Sequence, residues 1–174
     1  MKILAFAASN SRSSINKSLV TYAANLVEGA DVEILDLNDY EMPIYSSDRE
    51  NESGIHPLAQ AFFAKIAEAD AIMISFAEHN GSYTAAYKNI FDWMSRIDMK
   101  VYQGKPTLLL ATSPGPGGAN TVLTAAKTSA PYFGMDVKAD LSVGSFYDEF
   151  DMEKAELKNA EMKDKLMTAV SFLG

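Results

Sequence analysis

Lys2 to Leu19 reads KILAFAASNSRSSINKSL, and its three parts ask for three different conformations. KILAFA (Lys2 to Ala7) has the length and composition of a strand buried on both faces. Leu19, Val20, Ala23, Ala24 and Val27 then recur at helical spacing. Between them, ASNSRSSIN crowds small hydroxyl and amide side chains into one turn. A strand, a tight polar turn and a helix N-terminus in that order make an anion-binding geometry. The helix's first N–H groups lack partners, and the positive end of its dipole faces outward. Phosphate is the natural occupant, although Ser14 or Asn16 could equally be an ordinary helix cap.

Further apolar, β-rich runs follow at Val32–Leu35, Ala71–Ser75, Thr107–Ala111 and Asp136–Leu141. The stretches between most of them carry helical periodicity: Ile15–Val27, Pro57–Glu68 with Leu58, Ala61, Phe62 and Ile66 on one face, Thr84–Arg96, and Thr121–Phe133. A last helix is expected over Asp151–Leu173, capped by Asp151, with Met152, Leu157, Leu166 and Val170 free to pack. This βαβ rhythm predicts a three-layer α/β sandwich, with the first, third and fourth runs as central parallel strands. Leu37 to His56 is too mixed for a helix and too long for a simple turn, so it reads as an irregular segment, a mobile flap or a partner surface.

A chain of 174 residues fits one domain, residues 1–174, with a sizeable core. The net charge of −8 argues against nucleic acid or an anionic membrane as partner, since both are bound through clustered Lys and Arg. Any anion must therefore be held locally. With no cysteine, disulfides, thiolate metal sites and Cys nucleophiles are excluded. No signal-like segment and no run of membrane-spanning length is found, which makes the cytoplasm the expected compartment.

Ligands of such sheets sit at the carboxyl ends of the strands. The loops there are ASNSRSSIN, FAEHNGSY (Phe76–Tyr83) and TSPGPGGAN (Thr112–Asn120), all rich in Gly, Ser and Asn. Asn80–Gly81 is a turn signal by itself. Gly115, Gly117 and Gly118 could make a turn or admit a flat ligand to the backbone. Neither GxxxxGK[ST] nor GxGxxG is present, GxSxG is absent, and His56 and His79 lack ligand-spaced carboxylates. Three neutral, donor-rich loops at one sheet edge suit a phosphate joined to a flat heteroaromatic ring. Flavin mononucleotide (FMN) is such a ligand: its ring accepts hydride at N5 and needs little acid–base help beyond N–H groups near N1 and O2.

Ser9, Arg12, Ser14 and Asn16 in S-x-x-R-x-S-x-N, EHNGSYTAAYKNIFDWMSR (Glu78–Arg96) and SPGPGGAN (Ser113–Asn120) together resemble the NADPH-dependent FMN reductases, a group that includes chromate, quinone and azo-dye reductases. The similarity extends to about Val143. It implies a flavodoxin-like fold with a five-stranded parallel sheet in the order 2-1-3-4-5. It also implies that Ser9, Arg12, Ser14, Ile15 and Asn16 hold the FMN phosphate. Glu78, His79, Asn80 and Gly81 would line the isoalloxazine, and Ser113, Pro114, Gly115, Gly117 and Gly118 would close over its other edge. NADPH or NADH would reduce the flavin, which would pass electrons to a small acceptor such as a quinone, free flavin, an azo compound or a metal oxyanion. No separate catalytic side chain is implied. A homodimer, or a dimer of dimers, is implied, in which Tyr45 and Tyr83 reach a neighbour's site. Lys88, Asn89, Asp92 and Trp93 match the family's helix and read as structural.

Four positions depart from the family's usual pattern: Ala8 for Gly, Ala77 for Pro, His79 for Tyr and Thr84 for Pro. At His79 a titratable ring replaces a stacking one, so it could tune flavin or substrate. Two other classes remain open: a flavodoxin-type electron carrier, and a flavin-free binding or regulatory protein of the same fold.

Overall fold

Alternate residues of a strand face opposite sides, and in β1 (Lys2–Ala8) both sides are buried. Leu4, Phe6 and Ala8 enter one core, Ile3 and Ala5 the other. The same alternation runs through β3 (Ala71–Phe76) and β4 (Pro106–Thr112), where Ile72, Ile74 and Leu109 face the first core and Met73, Leu108 and Leu110 the second. Strands covered on both faces need helices on both sides, and the computed structural model, which describes residues 1–173, has them.

With β2 (Asp31–Leu35) and β5 (Asp136–Val143), these strands form one parallel sheet in the order β2-β1-β3-β4-β5. α1 (Ile15–Asn25) covers the second core through Leu19, Val20, Ala23 and Ala24. α2 is the short Ser47–Ser53. α3 (Pro57–Glu68), α4 (Ala85–Met94) and α5 (Asn120–Ser129) cover the first core. Phe6 meets Phe62 edge-on, at 5.2 Å between ring centroids. The architecture is the expected flavodoxin-like three-layer sandwich with the expected strand order.

Several boundaries differ from the sequence reading. On α3 the buried face runs through Ala59, Phe62 and Ile66, while Ala61 is exposed. The 37–56 segment is largely ordered: a 3-10 turn over Leu37–Tyr40 starts on the Asp36 side chain, and Ser46 caps α2 through its bond from the Arg49 N–H. The terminal helix starts later than expected. Asp151 instead accepts the N–H groups of Glu153 and Lys154 in a local turn, which competes with helix initiation. α6 (Phe146–Glu149) and an antiparallel pair, β6 (Phe150–Asp151) with β7 (Glu156–Leu157), occupy this stretch. α7 (Ala160–Ser171) then begins on the Asn159 cap. Leu157, Leu166 and Val170 are buried as expected, but Met152 is 55% exposed.

The first turn of α1 is tethered to the segment that follows β2. Lys17 Nζ lies 2.6 Å from Asp36 Oδ2, and the same carboxylate accepts the Asn38 N–H and Nδ2. The Lys17 ammonium, then the Asn38 N–H, hold the Asp36 carboxyl down at about 2, against 3.8 ordinarily. A carboxyl depressed on folding contributes stability that is complete above its unfolded value and is lost as pH falls through the folded value. Asp36→Asn should therefore flatten part of the fall in urea midpoint between about pH 5 and about pH 2. An unchanged slope would show that the Lys17–Asp36 tether contributes nothing to acid stability.

Candidate functional site

All five sheet strands run the same way, so β1, β3 and β4 deliver their following loops to one edge. The three loops meet around a cavity of about 320 Å³. Of the expected residues, Ser9, Ser14, Ile15 and Asn16 line it from the first loop, Glu78 and His79 from the second, and Ser113 and Pro114 from the third. Ser11, Ser13, Ala77 and Thr112 join them. Arg12 does not; it lies in a neighbouring groove. Asn80, Gly81, Gly115, Gly117 and Gly118 shape the loops from outside the cavity wall.

The first loop offers a row of donors. Ser14 caps α1, its Oγ accepting the Lys17 N–H at 3.1 Å, and Ser9 Oγ accepts the Ser11 N–H at 3.2 Å. Among the described residues, the backbone N–H groups of Arg12, Ser13, Ser14, Ile15 and Asn16 meet no protein acceptor. Capping and anion binding are thus compatible: the Ser14 side chain satisfies one donor of the helix start and leaves the others free.

Asn16 is 2% exposed and fully engaged across the sheet edge. Its Oδ1 accepts from Ser75 Oγ at 2.7 Å and the Thr112 N–H at 3.1 Å, and its Nδ2 donates to Thr112 O at 3.1 Å. It therefore fastens the first loop to the ends of β3 and β4. Thr84 makes a second tie, capping α4 through the Tyr87 N–H while its Oγ1 donates to Ala8 O at 2.9 Å. A proline there would lack the hydroxyl that makes this bond.

Glu78 makes the third tie. The residue before α5, Ala119, has φ of 58° and no side-chain cap, and Glu78 Oε2 accepts the Val122 N–H at 2.9 Å in its place. A carboxylate at a helix N-terminus is favoured by the dipole as well as by the bond. Next to it, Asn80 (φ 53°) and Gly81 (φ 75°) form a two-residue hairpin turn. Its flanks, His79 and Ser82, exchange both backbone bonds at 3.0 and 3.1 Å. The His79 ring is exposed at the cavity edge.

The third loop is held from below. Gly115 O accepts the Ser145 N–H, Ser113 O accepts the Phe146 N–H, and Gly118 O accepts Ser142 Oγ. A Cβ on Gly118 would lie 2.2 Å from Ser142 Oγ, and one on Gly144 2.4 Å from Pro116 O. These two glycines therefore serve close packing of backbone on backbone. That packing carries Tyr147, on α6, into the cavity wall. The sequence reading missed Tyr147, because its position depends on a tie to the third loop that no local pattern announces.

The helix motif acts as a strap. Asn89 Nδ2 donates to Met42 O and Pro43 O, its Oδ1 accepts the Tyr45 N–H at 2.8 Å, and Trp93 Nε1 donates to Pro43 O at 2.8 Å. Lys88 and Asp92 form the i, i+4 pair that their spacing predicts, at 2.7 Å. Tyr45 is committed within the chain, donating to Glu50 Oε2 at 2.8 Å with its ring edge-on to Trp93.

Fold and loops together define a class: a flavodoxin-like protein with a cavity and a loop of backbone N–H groups without protein acceptors at the edge of its parallel sheet. The sequence profile described as NADPH-dependent FMN reductase matches residues 1–148, and the chain belongs to that family. By its description the family is one of reductases that use NADPH and FMN. An NADPH:quinone oxidoreductase of Arabidopsis thaliana is 31% identical over 125 residues, 70% of this chain and 62% of that one. A quinone reductase of Escherichia coli is 35% identical over 80 residues, 45% of this chain and 43% of that one. The matched stretches thus span less than two thirds of these relatives. The solved structure of FerB, a flavoenzyme NAD(P)H:(acceptor) oxidoreductase from Paracoccus denitrificans, aligns with a TM-score of 0.78 at 22% identity. That alignment covers 99% of this chain and 94% of that one, which is a likeness of fold.

Asn16→Ala would strand the Thr112 N–H and C=O and the Ser75 hydroxyl in the interior. The expected loss is about 2–4 kcal/mol in urea denaturation, since each buried unpaired group costs roughly 1–3 kcal/mol and their effects overlap. Glu78→Ala, which removes one helix-end bond, should cost about 0.5–2 kcal/mol. Equal losses for the two variants would contradict the assignment of Asn16 as the central tie.

Proposed function

We propose that the protein is an FMN-dependent NAD(P)H oxidoreductase that delivers electrons to a small acceptor such as a quinone, free flavin, an azo compound or a metal oxyanion. The observation that carries this reading is the row of unpaired N–H groups from Arg12 to Asn16, in a loop of which Ser13 to Asn16 line a cavity walled by the other two loops. A dianionic phosphate fits those donors, whose positive potential α1 reinforces. The neighbouring hydroxyls of Ser9, Ser11 and Ser13 can add bonds to it. The Glu78 carboxylate, which shares the cavity wall, accepts the Val122 N–H at the start of α5, whose dipole offsets part of its charge.

FMN, when bound, supplies the ring that takes up and releases reducing equivalents. The chain's own part is to bind, orient and exclude water. Ser113 and Pro114 offer an edge for the ring system opposite Glu78 and His79, with Tyr147 screening the mouth from solvent. No side chain in this reading acts as a separate catalytic acid or base. The His79 ring, exposed beside the cavity, is a candidate for contact with flavin or substrate. The reading also takes the enzyme to be cytoplasmic and a homodimer or dimer of dimers. Among the described residues no helix is long and apolar enough to cross a membrane.

Purified protein titrated with FMN should take up about one flavin per chain, and the visible band should bleach on anaerobic addition of NADPH or NADH. Binding without bleaching would make the protein an electron carrier, and no binding would remove the reading. Ser11→Asp, which sets a carboxylate on the exposed side of the cradle, should weaken FMN at least about tenfold and leave the urea midpoint near that of the parent. Undiminished affinity would move the phosphate elsewhere.

A further inference from the structure

Ser13 and Ser14 line two cavities at once. On one side is the site; on the other a groove of about 430 Å³ opens between α1 and the β6–β7 hairpin. Ser18, Thr21, Tyr22 and Asn25 line its α1 wall, and their spacing of three and four puts them on one face of the helix. Phe150, Met152 and Ala155 form the opposite wall. Its volume falls in the range of pockets for small organic ligands, roughly 300–1,000 Å³.

We propose that this groove takes the adenylate half of a flavin dinucleotide, so that the protein accepts FAD as well as FMN. The inference rests on the assignment of the Arg12–Asn16 loop to the flavin phosphate. FAD differs from FMN by an AMP joined through that same phosphate. A chain leaving the cradle over Ser13 and Ser14 enters the groove with its second phosphate first.

Arg12 stands at that entrance. Among the described residues it makes no hydrogen bond and no ion pair, whereas Lys17, the other cation of the groove, is committed to Asp36. A guanidinium without a partner matches a diphosphate better than it matches a neutral ligand. Beyond it the hydroxyls of Ser18 and Thr21 and the amide of Asn25 provide bonds for a ribose. The far end is apolar: Tyr22 packs edge-on against Phe150 at 5.9 Å between centroids, and Met152 is 55% exposed beside them. A purine face would cover that thioether and ring. The hairpin carboxylate of Asp151 is turned to the N–H groups of Glu153 and Lys154.

The test is a pair of fluorescence titrations, with FMN and with FAD, on the parent protein and on two surface variants of α1, Thr21→Glu and Asn25→Asp. FAD should bind within about tenfold of FMN or more tightly. Each variant should weaken FAD by about tenfold or more and FMN by less than about twofold, because the added charge lies in the groove that takes the anionic adenylate and outside the cavity that takes FMN. FMN binding with FAD excluded overturns the inference and leaves the flavin site standing. FAD binding that neither variant disturbs also overturns it, since the adenylate would then lie outside the groove. Failure of both flavins to bind overturns this inference together with the assignment beneath it.

Discussion

Three parallel strands end side by side at the functional edge, and there their outermost backbone groups run out of ladder partners. Asn16 supplies the continuation. Its amide presents one acceptor and one donor to Thr112, as a neighbouring strand would, and takes the Ser75 hydroxyl as well. A buried amide that pairs with three groups on two other strands fixes where α1 begins relative to β3 and β4. The direction of the first loop's free N–H groups follows from that. Replacing such a group leaves buried donors and acceptors unpaired, and the low dielectric around them makes the arrangement all or none.

The other ties extend the same logic outward. Thr84 joins the start of α4 to the end of β1, Glu78 joins the second loop to α5, and the 142–146 segment holds the third loop from beneath. Each loop is thus fixed by a helix end or strand that belongs to another loop. A site built in this way meets a ligand with much of its ordering cost already spent on folding, which is how small donors such as serine hydroxyls and backbone N–H groups can suffice for affinity.

Which parts were legible in the sequence follows from the range over which each is determined. The central strands showed themselves because burial on two faces demands apolar residues in succession, as in KILAFA and AIMIS. The Asn80–Gly81 turn showed itself because two successive positive φ angles select those residue types. Asn16 was assigned either to capping or to phosphate from its neighbours in the chain. Its main role lies with partners 59 and 96 residues away. Tyr147 and the β6–β7 hairpin were hidden for the same reason. The apolar spacing of the tail suited a helix, and the Asp151 turn and the pairing of Phe150 with Leu157 overrode it. Arg12 stood in the middle of the quoted loop, yet the turn sends its side chain over the rim into the groove.

An acidic chain with a proposed anion site at first looks contradictory, and screening resolves it. With a Debye length of about 8 Å at physiological ionic strength, charges on the far helices contribute little at the sheet edge. Much of the negative charge is also locally neutralised: Glu33 meets Lys2 and Lys65, Glu50 meets Arg96, and Asp140 meets Lys127. In the proposed site, what a phosphate encounters is set within a few ångströms by the first loop's N–H groups that lack protein acceptors, and an N–H group is short-ranged and strongly directional. Such a site discriminates by shape where a cluster of Lys and Arg would discriminate by charge alone. The net charge of −8 then repels polyanions from the surface at large without weakening the cradle. On the proposed reading the opposite signs of field and site are complementary, one disfavouring polyanions at the surface and the other suited to a small anionic ligand.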